Sequence, residues 1–201
     1  LRPRALGQLL RAPALWVLVL ASGTTNAAFN WAVTIGDVVR VVLLFYLMPL
    51  WAVLLARLIL HEPLTRQAAL RVLLALAGAA VVLWPAGGSG WSDWEGLPLP
   101  HTLPDWLGVL GGFSFALNNV MLRREAHQPE EGRALAMFAG GAAVAAVLAI
   151  SLGAGTVAPI PAPALVWMAG VGALALLFLA GNLALQYGAA RLPANVTSVV
   201  M

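Results

Sequence analysis

Apolar residues run in long unbroken blocks along this chain and do not alternate with period two. Crossing the hydrocarbon of a bilayer takes a helix of about 20 mostly apolar residues. Six blocks meet that length: Ala12–Val33, Val38–Leu60, Ala68–Trp84, Pro104–Leu122, Ala134–Leu152 and Pro163–Tyr187. A seventh begins near Pro193 and reaches Met201. Continuous runs specify helices, because a transmembrane barrel needs the alternating pattern. None reads as a cleavable leader. Arg2, Arg4 and Arg11 do precede the first block, but that block carries Asn26 and Asn30 and is followed by further spans. The expected fold is an all-α, polytopic integral membrane bundle.

Composition narrows this further. The chain of 201 residues is 61% apolar and only 9% charged, against about 25% charged in a soluble domain. Too few charges exist to cover a solvated surface, and disorder needs the opposite balance. With no cysteine, a disulfide framework and a Cys-based zinc or redox site are excluded. The pI near 10.6 invites a nucleic-acid reading. All 11 basic residues are Arg, however, scattered between spans with no basic run to track phosphates. No nucleic-acid partner is expected. The Ala-rich, all-Arg usage points to a bacterial cytoplasmic (inner) membrane. A start at Leu1 and a stop inside an apolar run read as cuts through a longer chain.

The charges instead give topology. Arg2, Arg4 and Arg11 precede the first span, Arg57, Arg66 and Arg71 surround the start of the third, and Arg123, Arg124 and Arg133 crowd the connection after the fourth. Arg191 follows the sixth. The connection Pro85–Asp105 holds Asp93, Glu95 and Asp105 without Arg, and Gly153–Ala162 is uncharged. Basic loops thus alternate with non-basic ones. The positive-inside rule puts residues 1–11 in the cytoplasm and 85–103 outside, in the periplasm.

A shift of 156 positions lays Asn26-Ala27-Ala28-Phe29-Asn30-Trp31-Ala32 over Asn182-Leu183-Ala184-Leu185-Gln186-Tyr187-Gly188, and the alignment continues to Phe45 over Met201. Each copy has Asn, then Asn or Gln four later, then an aromatic and a small residue. The copies sit on the first and sixth spans, an odd number apart, so they cross the membrane in opposite senses. Inverted repeats with a midplane site between them are transporter architecture.

Candidate chemistry follows from the polar residues in the spans. Asn26 and Asn30 share a helix face with Ser22, and Asn182 and Gln186 repeat the spacing. Such amides either join helices or line a polar pathway. Ser114, Asn118 and Asn119 offer a third polar face. Trp31, Tyr46 and Tyr187 are aromatic candidates beside that pathway. Arg40, three residues after Asp37, either snorkels to the outer interface or anchors an anion at the mouth. Pro49 should kink the second span. Small residues such as Gly108, Gly112, Gly140, Gly141 and Gly170 allow close helix approach. His101 and Asp105, and His127 with Glu130 and Glu131, read as solvated loop residues without metal spacing. No HExxH, GxSxG or Walker A pattern occurs, so neither an enzyme nor an ATP-driven pump is expected, and no metal or other cofactor.

The stretch Asp37 to Leu50 with its central Pro49, then Leu60-His61-Glu62-Pro63-Leu64-Thr65 and Leu76-Ala77-Gly78, resembles the EamA domain of the drug/metabolite transporter superfamily. In that family the Pro-bearing span ends at Leu-Gly-Glu; here His61 stands for the Gly, and Glu62 matches the family Glu, which has a structural place. Leu107-Gly108 through Asn118 is similar to the opening helix of a second unit, and Leu192-Pro193-Ala194 to the start of that unit's own Pro-bearing span. The resemblance implies two inverted five-helix repeats, of which this chain carries the third helix to the start of the ninth. It divides the chain into residues 1–84, the later part of one repeat with three spans; 85–103, an outer loop; and 104–201, the earlier part of the next repeat. It implies a secondary transporter, a permease or exporter, taking a small-molecule substrate such as an amino acid, a drug-like compound or another metabolite by alternating access. A homodimer is left open. The other reading is a non-transporting membrane scaffold or partner subunit, in which the amides only join helices.

Overall fold

The computed structural model describes residues 12–63, 65–83, 100–152 and 164–191. All regular structure among them is helical. The helices are α1 Pro13–Ile35, α2 Val38–Phe45, α3 Met48–Leu55 with a π-helical turn at Ala56–Leu60, α4 Arg66–Leu83, α5 Leu103–Arg124, α6 Glu130–Leu152 and α7 Leu165–Arg191. The segment Val38–Leu60 acts as one rod, so six rods stand where the six apolar blocks were expected. Among the described residues, Val38–Leu60, Glu130–Ser151 and Leu165–Leu185 are long and apolar enough to cross a membrane by length and composition alone. Helices α1 and α5 carry more polar residues, but Ser22, Ser114, Asn118 and Asn119 are all buried within the bundle. The chain is an all-α, polytopic membrane protein. The stretch from Pro193, residues 85–99 of the outer loop and the loop Gly153–Ala162 lie outside the described residues.

Local chemistry explains where the helices begin. Thr102 caps α5: its side chain accepts from the Asp105 N–H while Asp105 accepts from the Thr102 N–H, a reciprocal capping box. Pro104 occupies the first turn, where a missing N–H costs nothing. Helix α6 starts at Glu130, four residues ahead of its apolar block, with Glu130 and Glu131 in a first turn whose dipole favours carboxylates. Helix α7 runs on to Arg191, a cation in the last turn.

Helix α5 is central, touching α1, α2, α3, the π turn and α7. In lipid the hydrophobic effect does not drive helices together, so close van der Waals approach must do it. Pro49 shows how. Lacking an N–H, it cannot pair with the Phe45 carbonyl four residues back. The rod breaks at Tyr46–Leu47, with Pro49 in the first turn of α3. Short-range bonds bridge the break: Leu47 N–H donates to Leu44 O at 3.2 Å, and Leu50 N–H to Leu47 O at 3.0 Å. The freed Phe45 carbonyl sits against Gly112, where any Cβ would collide with it. One turn earlier, a Cβ at Gly108 would come within 3.0 Å of the Val41 carbonyl. The kink and the glycine face of α5 are therefore one device. The Phe45 ring packs on Phe29 and Phe115, with centroids 4.8 and 5.7 Å away.

Helices α1 and α6 cross just as closely. A Cβ on Gly23 would meet the Gly140 carbonyl, and one on Gly140 the Val19 carbonyl. Ser22 Oγ donates to the Met137 carbonyl at 3.0 Å across this crossing. By contrast, Gly141 and Gly170 face open space. Helix α7 meets the bundle along a half-buried stripe of Asn182, Leu185 and Gly188 and otherwise exposes its leucines, such as Leu177. In water that face would be an aggregation liability; lipid is its solvent.

The π turn ends at His61, which holds φ 56° in the left-handed region. The N–H groups of His61 and Glu62 both donate to the Ala56 carbonyl. A glycine adopts this conformation without strain, while a side chain costs energy there.

Candidate substrate cavity

A cavity of about 310 Å³ opens between α1, α6 and α7, lined by Ser22, Asn26, Met137, Phe138, Gly141, Ala142, Phe178 and Asn182. An adjoining one of about 170 Å³ shares Ser22, Asn26, Met137, Phe178 and Asn182 and adds Thr25, Phe115, Asn118 and Leu185. The lining residues fall near the middle of their helices. Asn26 and Asn182, the pair matched by the 156-residue shift, face the same space, and so do Ser22 and Phe178, one turn before each. The two amides are also bonded alike. Asn26 Nδ2 donates to the Ser22 carbonyl at 3.0 Å, and Asn182 Nδ2 to the Phe178 carbonyl at 2.9 Å. Each bond runs to the carbonyl four residues back on the same helix. Asn118 is buried, and its Oδ1 has no hydrogen-bond partner.

The other candidate residues fall elsewhere. Asn30 is exposed and donates to the Asn26 carbonyl at 2.7 Å, outside the cavity lining. A step of four residues turns an α-helix by about 40° beyond a full circle, so Ser22 and Asn26 share the cavity while Asn30 has rotated away. The Gln186 side chain lies outside the described residues. Trp31 is half-buried on α1 without lining the cavity. Tyr46 is exposed at the break in the second rod, its ring edge-on to Phe45. Tyr187 is exposed, with the Arg191 guanidinium 3.4 Å from its ring centroid. Glu62 is half-buried beside the π turn.

Arg40 meets a carboxylate of its own chain. Its Nε donates to Asp105 Oδ1 at 2.9 Å, and its Nη2 lies 3.1 Å from His101 Nδ1. Asp105 Oδ2 accepts the N–H groups of His101 and Thr102 at 3.1 and 3.2 Å. Asp37 caps α2 by accepting the Arg40 backbone N–H at 2.8 Å. This network ties the start of α2 to the start of α5. Asp105, expected in a solvated loop, is buried within the first turn of α5. The spacing Thr102-x-x-Asp105 is the sequence signal for that capping box. At the opposite end of α5, Arg133 is buried and donates to the Glu125 carbonyl at 3.2 Å.

Sequence reasoning missed Thr25, Phe115, Met137, Phe138 and Phe178 as cavity residues. Thr25, a hydroxyl three residues after Ser22 on the same span, carried a signal in its type; nothing separates the other four from the many apolar residues of the spans, and only the helix arrangement selects them.

Fold and cavity together define a polytopic helical membrane protein whose described spans enclose a pocket of amides, a hydroxyl and apolar side chains. Residues 3–84, which include the first three rods, match the EamA-like transporter family. That stretch, about two fifths of the chain, is an EamA-like domain. No curated protein and no solved structure matches the chain significantly.

Proposed function

We propose that the chain forms part of a secondary transporter that moves a small metabolite by alternating access through the cavity between α1, α5, α6 and α7. One observation carries this reading: Asn26 and Asn182, equivalent under the internal repeat, line one cavity. An inverted repeat places its substrate site where its two halves meet. The pathway residues in this reading are Ser22, Asn26, Asn118 and Asn182. Arg40 is assigned to holding α2 against α5 through Asp105, and Pro49 to the kink that seats on Gly112. The first repeat takes in residues 1–84 and the second begins at 104, with residues 1–11 cytoplasmic and 85–103 outside, in a bacterial inner membrane.

The bonding of the amides favours a pathway over a scaffold. Among the described residues, Asn26 and Asn182 bond only to carbonyls of their own helices. Helix glue would bond across, as Ser22 does to Met137. The test is flux of a panel of labelled amino acids and amines into proteoliposomes holding the purified protein. Asn26→Leu and Asn182→Leu should each abolish flux of the transported solute without lowering the thermal midpoint, whereas Asn30→Leu should leave most of it. Intact flux in both cavity variants, or loss of assembly in place of flux, would favour the scaffold.

A further inference from the structure

Resting on the transport reading and narrowing its substrate, we propose that this cavity binds a protonated organic amine: an ammonium head on an apolar or aromatic body. Ser22 Oγ spends its hydrogen on the Met137 carbonyl, at 3.0 Å, and Thr25 Oγ1 on the Ala21 carbonyl, at 2.7 Å. Asn26 and Asn182 each spend one Nδ2 hydrogen on a backbone carbonyl. A carbonyl only accepts, so these partners fix the orientation of each amide, with its nitrogen toward the backbone and its oxygen away from it. The two hydroxyls are left with lone pairs, and each amide with an oxygen and a single N–H. Asn118 adds a buried Oδ1 that no donor satisfies. A buried acceptor without a partner is costly until one arrives. The polar wall thus offers five side-chain oxygens, of Ser22, Thr25, Asn26, Asn118 and Asn182, against one N–H each from Asn26 and Asn182 and the amide hydrogens of Asn118.

Charge points the same way. Among the described residues, no Arg, Lys, Asp, Glu or His lines either cavity. An anionic solute would lose its hydration and find no cation there. An ammonium group finds the oxygens of Asn118, Asn26 and Asn182, and the lining includes Phe115 and Phe178, aromatic rings of the kind that attract a cation through their quadrupoles. Met137 and Phe138 leave room for an apolar body. The larger cavity sits at the small end of the roughly 300–1,000 Å³ span of small-molecule sites.

Three probes of matched shape test this by calorimetric binding to the purified full chain at neutral pH: 2-phenylethylamine, 3-phenylpropionate and phenylalanine. The amine should bind at least about ten-fold more tightly than the propionate, with the zwitterion between them. Asn182→Leu should weaken amine binding about ten-fold. Asn182→Asp, which puts a carboxylate in the same place, should strengthen it and also show that the site is folded. Equal or tighter binding of the propionate, or unchanged amine affinity in both Asn118→Leu and Asn182→Leu, overturns the proposal. Proteoliposome flux separates the two readings. Amine binding without amine flux upholds the amine site and overturns transport; flux of the propionate in place of the amine upholds transport and overturns the amine site.

Discussion

Removing the Asp105 carboxylate tests how the start of α5 is held. The Asp105 side chain is 2% exposed and that of Arg40 is 24% exposed. Asp105→Ala deletes one charge-assisted bond, from Arg40 Nε at 2.9 Å, worth about 1.5–3 kcal/mol. It also strips the acceptor from the His101 and Thr102 N–H groups, a capping loss of about 0.5–2 kcal/mol. Together these give roughly 2–5 kcal/mol, or about 4–20 °C in midpoint at 2–4 °C per kcal/mol for a chain of this size. The assay is thermal unfolding of the purified full chain in detergent, followed by tryptophan fluorescence; Trp106 adjoins the site. Asp105→Asn keeps an acceptor for the N–H groups and should lose only the ionic part. A double-mutant cycle with Arg40→Ala should give a coupling of about 1.5–3 kcal/mol. A coupling near zero, with Arg40→Ala costing less than about 0.5 kcal/mol, would refute the reasoning and free Arg40 for another role.

Other perturbations probe the helix contacts. Gly112→Ala should destabilise by about 1–3 kcal/mol because its Cβ meets the Phe45 carbonyl, while Gly170→Ala, facing open space, should gain about 0.5–1 kcal/mol; equal midpoints would contradict the close approach. His61→Gly should stabilise by about 0.5–1 kcal/mol, the relief of left-handed strain less the entropy of glycine, and a lower midpoint would argue against that strain. Ser22→Ala should cost about 0.5–1.5 kcal/mol by unmaking the bond to Met137, measured by the same unfolding assay.

Much of the fold was legible because a bilayer demands long apolar helices and tolerates few charges elsewhere. The second rod, Val38–Leu60, matched to the residue, since Asp37 marks its start and His61 its end. The break fell at Tyr46–Leu47, ahead of Pro49, because the ring disturbs the turn before it. Helix α6 began earlier than its apolar block because Glu130, Glu131 and Arg133 are compatible with a helical first turn. At the site, Asn26, Asn118 and Asn182 were legible as amides out of place in lipid. Asn30 was not separable from Asn26 by sequence, since the rotation that carries it off the cavity depends on where α6 and α7 lie. The apolar lining was hidden among similar residues, and Asp105 was hidden by counting span length without reading its capping box.

Alternating access through this site requires the two repeat-related amides to face one aqueous cavity. The chain has no cysteine, so Asn26→Cys and Asn182→Cys each introduce a single thiol. Leu177→Cys, on the exposed face of α7, supplies a lipid-facing reference. The measurement is the rate of labelling by a charged methanethiosulfonate in lipid vesicles. Both cavity positions should label readily while Leu177→Cys stays inert. If the thiols at positions 26 and 182 were as unreactive as the one at 177, the claim would be contradicted.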